Sequence, residues 1–136
     1  MRCSKAAPDA AQMSLPLFSM LVSAGFPTPA DDHIEETLDI ARLLVKRPQS
    51  TFFVRVEGDS MIDASIHAGD LLVVDRSVEA HHKDVIIAIV DNEFTVKVLH
   101  DSPRLHLVSR NENNPTLIDE PFQIWGVVLW VIHKAR

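Results

Sequence analysis

The sequence VIIAIVDNEFTVKVL, residues 85–99, predicts a β-hairpin and with it the fold class. Residues 85–90 are a continuous apolar run of mostly β-branched side chains, which is typical of a strand covered on both faces. Asp91 and Asn92 form a short polar link, and Asn tolerates the positive φ that tight hairpin turns require. Residues 93–99 then form the second strand, which carries Lys97.

Further short segments rich in Val, Ile and Phe lie on both sides of this hairpin, separated by Gly, Asp, Asn or Pro. Such segments predict a mainly β domain with a compact, antiparallel, barrel-like sheet. The predicted strands are residues 51–57, 71–75, 85–91, 93–99, 105–109 and 126–133.

One short helix is predicted ahead of the strands. Asp32 and Glu35 resemble a capping box, and Pro48 would end the helix. Apolar side chains recur at helical spacing between them, at Ile34, Leu38, Ala41 and Val45. Residues 1–14 have no periodic apolar face, so we expect residues 1–24 to form a flexible N-terminal arm and residues 25–136 to form the folded domain.

Composition limits the possible classes of function. The chain has 136 residues, which suffice for one domain and an arm, and its net charge of -6 argues against a surface that binds nucleic acid. Cys3 is the single cysteine, so no intrachain disulfide can form, and no apolar run reaches transmembrane length. These features predict a cytoplasmic protein with no membrane contact.

Ser60 and Lys97 are the candidate catalytic pair. Ser60 lies in the turn sequence Gly58-Asp59-Ser60-Met61, and Lys97 lies between two valines of a predicted strand. A serine hydroxyl needs a base to become a nucleophile, and a lysine acts as that base only when its amine is neutral. Desolvation in an apolar strand favours the neutral amine. Some enzymes with a serine nucleophile use a lysine as the base. The alternative is a turn serine and a lysine that protects an edge strand.

Four segments resemble the UmuD branch of the LexA-type self-cleaving proteins. They are Ala24-Gly25-Phe26-Pro27, Gly58-Asp59-Ser60-Met61, Gly69-Asp70-Leu71-Leu72-Val73-Val74-Asp75 and Glu93-Phe94-Thr95-Val96-Lys97. The resemblance extends from Leu15 to the C-terminus and implies a fold of the LexA C-terminal, or β-clip, type.

The resemblance also implies a role for each site residue. Ser60 would be the nucleophile, Lys97 the general base, and the bond between Ala24 and Gly25 the one that is cut. Backbone N–H groups of Asp59 and Ser60 would hold the oxyanion, as is usual at a turn that carries a nucleophile. Ala24 replaces the cysteine of the best-known UmuD and resembles LexA at this position.

Partners follow from the resemblance as well. It implies a homodimer, cleavage stimulated by a filament of RecA on single-stranded DNA, and a trimmed form that acts with a UmuC-type error-prone polymerase. No sequence-specific DNA binding is expected, and no cofactor or metal is implied. His81 and His82 are adjacent without a third ligand at workable spacing. His67, His100 and His106 have no obvious carboxylate partner that would make a triad with Ser60.

Four other interpretations remain open. A secretory signal would also place a cut after Ala24, although Asp9 and Pro16 interrupt its pattern. A LexA-like repressor would need a DNA-binding domain before the cut, and a signal-peptidase-like enzyme would need a membrane anchor. A non-catalytic interaction module is the fourth.

Overall fold

The computed structural model describes residues 2–5, 14–18, 34–58, 65–102, 104–109, 116–118 and 120–136. Within these ranges the chain forms one short helix and ten strands. They are β1 (Arg2–Lys5), β2 (Ser14–Phe18), β3 (Ile34–Asp39), α1 (Ile40–Leu44), β4 (Thr51–Arg55), β5 (Leu71–Asp75), β6 (Val85–Val90), β7 (Glu93–His100), β8 (His106–Ser109), β9 (Thr116–Ile118) and β10 (Phe122–Ile132).

Eight of the described strands form one antiparallel sheet in the order β1-β4-β5-β10-β6-β7-β8-β9. Strands β2 and β3 form a separate antiparallel pair. The prediction of a mainly β, antiparallel domain is confirmed. Over the described ranges the large sheet is open, with β1 and β9 at its edges, so the predicted barrel-like closure is not part of it.

The predicted hairpin is present, with β6 and β7 paired from Val85 opposite Val98 to Val90 opposite Glu93. Asp91 and Asn92 have φ values of 51° and 63°, so both turn residues are left-handed. Two consecutive left-handed residues are the signature of the type I′ turn, whose twist matches that of the strands. The turn therefore fixes the register that positions Lys97 opposite Ile86.

Strand β6 supplies both faces of the hydrophobic core, as its continuous apolar sequence predicts. Ile87 belongs to a cluster on one face, and Ile86 and Ala88 belong to a cluster on the other. The first cluster also contains Val54, Val56, Ile66, Leu72, Val74, Val96 and Val98, and the second also contains Leu99, Leu107 and Val127. Successive strand residues point to opposite faces, which explains the division.

The prediction of a helix that includes Ile34, Leu38, Ala41 and Val45 was wrong for most of this segment. Ile34–Asp39 is a strand paired with β2, and the helix is the single turn Ile40–Leu44. Asp39 caps it by accepting a hydrogen bond from the Arg42 backbone N–H at 3.4 Å. The predicted capping residue, Asp32, lies outside the described residues.

Residues 1–14 were expected to have no regular structure, and this expectation does not hold for Arg2–Lys5. These residues form β1 and pair with β4, with Arg2 opposite Arg55 and Lys5 opposite Phe52. Strand β9 was not predicted, and β10 begins at Phe122 rather than at the predicted residue 126. In the part of the chain that is described, no helix is long and apolar enough to cross a membrane.

Candidate active site

Lys97 is a buried lysine in the interior of β7, where its side chain is 7% exposed. Its strand neighbours Val96 and Val98 belong to the hydrophobic cluster on the opposite face. On its own face Lys97 lies directly across from Ile86, which is fully buried. Lys97 is therefore largely removed from water.

Burial lowers the pKa of the Lys97 amine below its ordinary value. Removing water penalises the charged ammonium more than the neutral amine, and desolvation is the cause of the shift. A neutral amine has a lone pair that can accept a proton. The position therefore makes Lys97 a better general base than a lysine on the surface.

Lys97 opens into a cleft of about 240 Å³ next to the hairpin turn. Thr95 and Glu93 line it from the same face of β7, as strand alternation requires. The full lining is Val90, Asp91, Glu93, Thr95, Lys97 and Glu120. An extended peptide segment could reach the amine through such a cleft.

Three carboxyl groups line this cleft, those of Asp91, Glu93 and Glu120, a feature that was not predicted from the sequence. Glu93 could have been found, because it is four residues before Lys97 and strand alternation places both on one face. Glu120 could not, since it lies between β9 and β10. The pKa of Glu120 is raised by a hydrogen bond with Asp91 and by the charge of Asp91.

The other predicted site residues lie outside the described residues. These are Asp59, Ser60, Ala24 and Gly25. Gly58, the first residue of the predicted turn sequence, is described, and its φ of 83° is left-handed and suits glycine. Of the predicted catalytic pair, the structure thus places Lys97 alone.

A second group of chemically reactive side chains lies apart from the cleft lining. His133 Nδ1 lies 2.6 Å from Asp70 Oδ1, and His67 Nδ1 lies 3.8 Å from Asp70 Oδ2. The two imidazole rings have centroids 4.9 Å apart. The sequence suggested no carboxylate that would complete a triad of His67 with Ser60, and this stays a prediction because Ser60 lies outside the described residues.

Comparison with known proteins gives a family match over most of the chain. The sequence profile of the family described as Peptidase S24-like matches residues 16–129. This range contains both residues of the candidate catalytic pair and both residues of the candidate cleavage site.

Individual proteins match over similar lengths. Protein SamA of Salmonella typhimurium is 48% identical over 125 residues, which are 92% of this chain and 89% of SamA. Protein ImpA of Escherichia coli is 46% identical over 123 residues, covering 89% of this chain and 85% of ImpA. LexA repressor 1 of Geobacter sulfurreducens is 40% identical over 110 residues, which are 80% of this chain and 53% of the repressor.

Proposed function

Because the chain belongs to the peptidase S24-like family, we propose that it is a serine endopeptidase that cuts itself between Ala24 and Gly25 with Ser60 and Lys97. The family assigns it to the peptidases, and its relatives confirm the resemblance to UmuD-type SOS mutagenesis proteins. The assignment of the nucleophile, the base and the bond that is cut goes beyond family membership and is part of the proposal.

The single observation that carries the proposal is the burial of Lys97 at a cleft. A charged lysine cannot accept a proton, and burial in β7 disfavours that charged form. A lysine retained only for solubility would point its amine into water. Burial beside an open cleft instead suits an amine that meets a substrate.

The proposed reaction proceeds through an acyl intermediate. Lys97 accepts the Ser60 hydroxyl proton as the oxygen attacks the Ala24 carbonyl carbon. Backbone N–H groups of Asp59 and Ser60 would stabilise the resulting oxyanion. Lys97 then returns the proton to the departing Gly25 amine, and water hydrolyses the Ser60 ester to restore the hydroxyl.

Self-cleavage is tested by following the mass of the purified full chain over time. The expected product begins at Gly25, and Ser60→Ala and Lys97→Ala should each stop its formation. Lys46→Ala is the matched control, because Lys46 is an exposed lysine outside the cleft and its loss should leave the rate unchanged. Formation of the Gly25 terminus by Ser60→Ala protein without another protease would refute the assignment.

The rate of unassisted cleavage should rise as pH rises through the lowered pKa of Lys97. Only the neutral amine can accept the serine proton, so acid should slow the reaction. The measurement is the cleavage rate against pH, with circular dichroism to show that the fold is intact. A maximum near neutrality followed by a fall in alkali would contradict lysine as the base.

A filament of RecA on single-stranded DNA is the proposed stimulus, and a UmuC-type error-prone polymerase is the proposed partner of the trimmed form. Both assignments derive from the UmuD-type resemblance. Because both partners act on DNA, the cytoplasm is the proposed location. The test compares cleavage with and without RecA, an ATP analogue and single-stranded DNA.

Removal of residues 1–24 is proposed to be the switch for polymerase binding. The comparison is between full-length Ser60→Ala protein and a form that begins at Gly25. Polymerase binding and lesion bypass should favour the shorter form. Equal affinity and equal bypass would show that cleavage does not select the partner.

The trimmed form is also proposed to be a homodimer, as the resemblance implies. Four consecutive apolar side chains at the end of β10 support an interface there, because all are exposed: Leu129 39%, Trp130 41%, Val131 39% and Ile132 40%. Exposed large apolar side chains that lie close together in the chain are typical of a surface that binds another protein. A monomeric mass at micromolar concentration would reject the dimer.

A further inference from the structure

We propose that His67, Asp70 and His133 form a binding site for one divalent transition-metal ion of the zinc class. The potential ligand atoms of these side chains all lie within 4.8 Å of one another. The site is independent of the proposed peptidase activity, because none of its residues lines the cleft that contains Lys97.

The fold brings these residues together from distant parts of the sequence. Asp70 directly precedes β5, and His133 directly follows β10. The two strands are antiparallel neighbours, with Ile132 paired to Leu71, so His133 and Asp70 meet at the same end of the sheet. His67 comes from the turn before β5, and its backbone N–H donates to Asp70 Oδ2 at 2.8 Å.

The distances suit a small rearrangement around a metal. Imidazole nitrogen and carboxylate oxygen bind zinc at about 2.0 to 2.2 Å, so neighbouring ligand atoms in a tetrahedron lie about 3.3 Å apart. The nitrogen to oxygen distances here are 2.6 and 3.8 Å, one below and one above that value. Both imidazoles are about half exposed, so their rings can rotate to meet an ion.

Asp70 is the fixed part of the site. Its side chain is 2% exposed, and the hydrogen bond from the His67 backbone orients its carboxylate. A ligating carboxylate held in this way by a hydrogen bond is the usual arrangement at metal centres. The charge of Asp70 also offsets part of the charge of the incoming cation.

The donor set decides the class of metal. Two imidazoles and one carboxylate suit zinc, copper, nickel or iron, whereas magnesium and calcium prefer oxygen ligands alone. Three protein ligands leave at least one coordination position for water, so the ion should exchange with the solution. A bound ion would tie the end of β10 to the turn before β5.

Metal titration of the full chain carrying Ser60→Ala and no polyhistidine tag tests the proposal. A chromogenic chelator competes for Zn²⁺, and Co²⁺ reports coordination through its visible absorption bands. One ion should bind per chain, and an excess of Mg²⁺ should not displace it. Because Ser60→Ala blocks the proposed cleavage, the result does not depend on whether the peptidase assignment is right.

Three variants locate the ion. His67→Ala and His133→Ala should each weaken Zn²⁺ binding at least about tenfold, since each removes one of three ligands. His81→Ala is the matched control, because His81 is an exposed histidine outside the group and its loss should change nothing. Circular dichroism of the metal-free proteins checks that all variants are folded.

Two results would overturn the proposal. One is an absence of saturable Zn²⁺ binding by the folded parent. The other is binding by the double variant with His67→Ala and His133→Ala that equals that of the parent, which would place the ion elsewhere.

Discussion

Asp70 and Asp75 lie at the two ends of β5, and both are almost completely buried, at 2% and 1% exposed. They differ in the groups that hold them. Asp75 accepts hydrogen bonds from Ser and Arg side chains, which stay protonated at every pH at which the protein is folded. The side chains beside Asp70 are instead the imidazoles of His67 and His133. The two ends of one strand thus have buried carboxylates in different chemical settings.

Asp75 is held by four hydrogen bonds. Its Oδ1 accepts from the Ser50 hydroxyl at 2.7 Å, the Ser77 hydroxyl at 2.7 Å and the Ser77 backbone N–H at 2.8 Å, and its Oδ2 accepts from Arg47 at 2.9 Å. Burial raises the pKa of Asp75, but these hydrogen bonds outweigh it and the pKa is lowered overall.

Asp70 has fewer donors. Burial raises its pKa, and the hydrogen bonds from His133 and from the His67 backbone, with the charges of the two imidazoles, lower it overall. Imidazole is both a titratable donor and a metal ligand, whereas Ser and Arg are neither under ordinary conditions. Asp75 therefore stabilises the fold at one end of β5. Asp70, at the other end, lies beside groups that can titrate or bind a metal.

Asp75→Ala should give the largest loss of stability, about 3 kcal/mol, because it removes the buried charged acceptor of four partly buried hydrogen bonds. The measurement is urea unfolding in the Ser60→Ala background. Arg47→Ala is the control and should cost at most about 1 kcal/mol, since the Arg47 side chain is 53% exposed. Equal losses for the two variants would mean that the ion pair, rather than the whole hydrogen-bond group, stabilises this end.

Acid should remove the contribution of both aspartates. Their pKa values are lowered in the folded protein, so the stabilisation is present above the unfolded pKa of about 3.9 and is lost as pH falls through the folded value. Urea unfolding at a series of pH values measures this loss, which should be smaller in Asp75→Ala than in the parent. An equal loss in the two proteins would contradict the lowered pKa of Asp75.

Lys97→Met removes a buried amine and should raise the free energy of unfolding, whereas Asp75→Ala should lower it. The amine has a pKa lowered by burial, so the charged form destabilises the fold near neutral pH. The methionine variant should be more stable at pH 7 by about 1 to 2 kcal/mol, as measured by urea unfolding. Between the pKa of Lys97 in the folded protein and its higher pKa in the unfolded chain, the unfolded chain binds more protons. The parent therefore gains stability as pH rises through this range, and the difference in stability between Lys97→Met and the parent should shrink. A difference that grows in alkali would contradict the direction of the shift.

His133→Ala should have the smallest effect, about 1 kcal/mol without metal, because one hydrogen bond to a half-exposed imidazole is lost. The pKa of Asp70 should rise in this variant, since His133 supplies both a hydrogen bond and a charge that lower it. Carboxyl titration by NMR measures that change. An unchanged pKa of Asp70 would show that the backbone of His67 alone sets it.

The sequence predicted the parts of the fold that depend on neighbours in the chain. Strand β5 was predicted with its observed bounds, and the hairpin of β6 and β7 was predicted with its turn. A run of β-branched residues bounded by turn residues favours a strand by local sterics alone, and Asp91-Asn92 supplies the required left-handed turn. The alternation that puts Thr95 and Lys97 on one face follows from the same local geometry.

Pairing between distant segments determined the remaining features, which local pattern leaves open. Ile34 and Leu38 are four residues apart, a spacing that places two side chains on one face of a helix and also on one face of a strand. Pairing with Ser14–Phe18 selected the strand. Asp70 and His133 are 63 residues apart in the chain and 2.6 Å apart in space, because β5 and β10 are antiparallel neighbours in the sheet. Sequence periodicity contains no information about which strands pair, so only the folded sheet could bring these two side chains together.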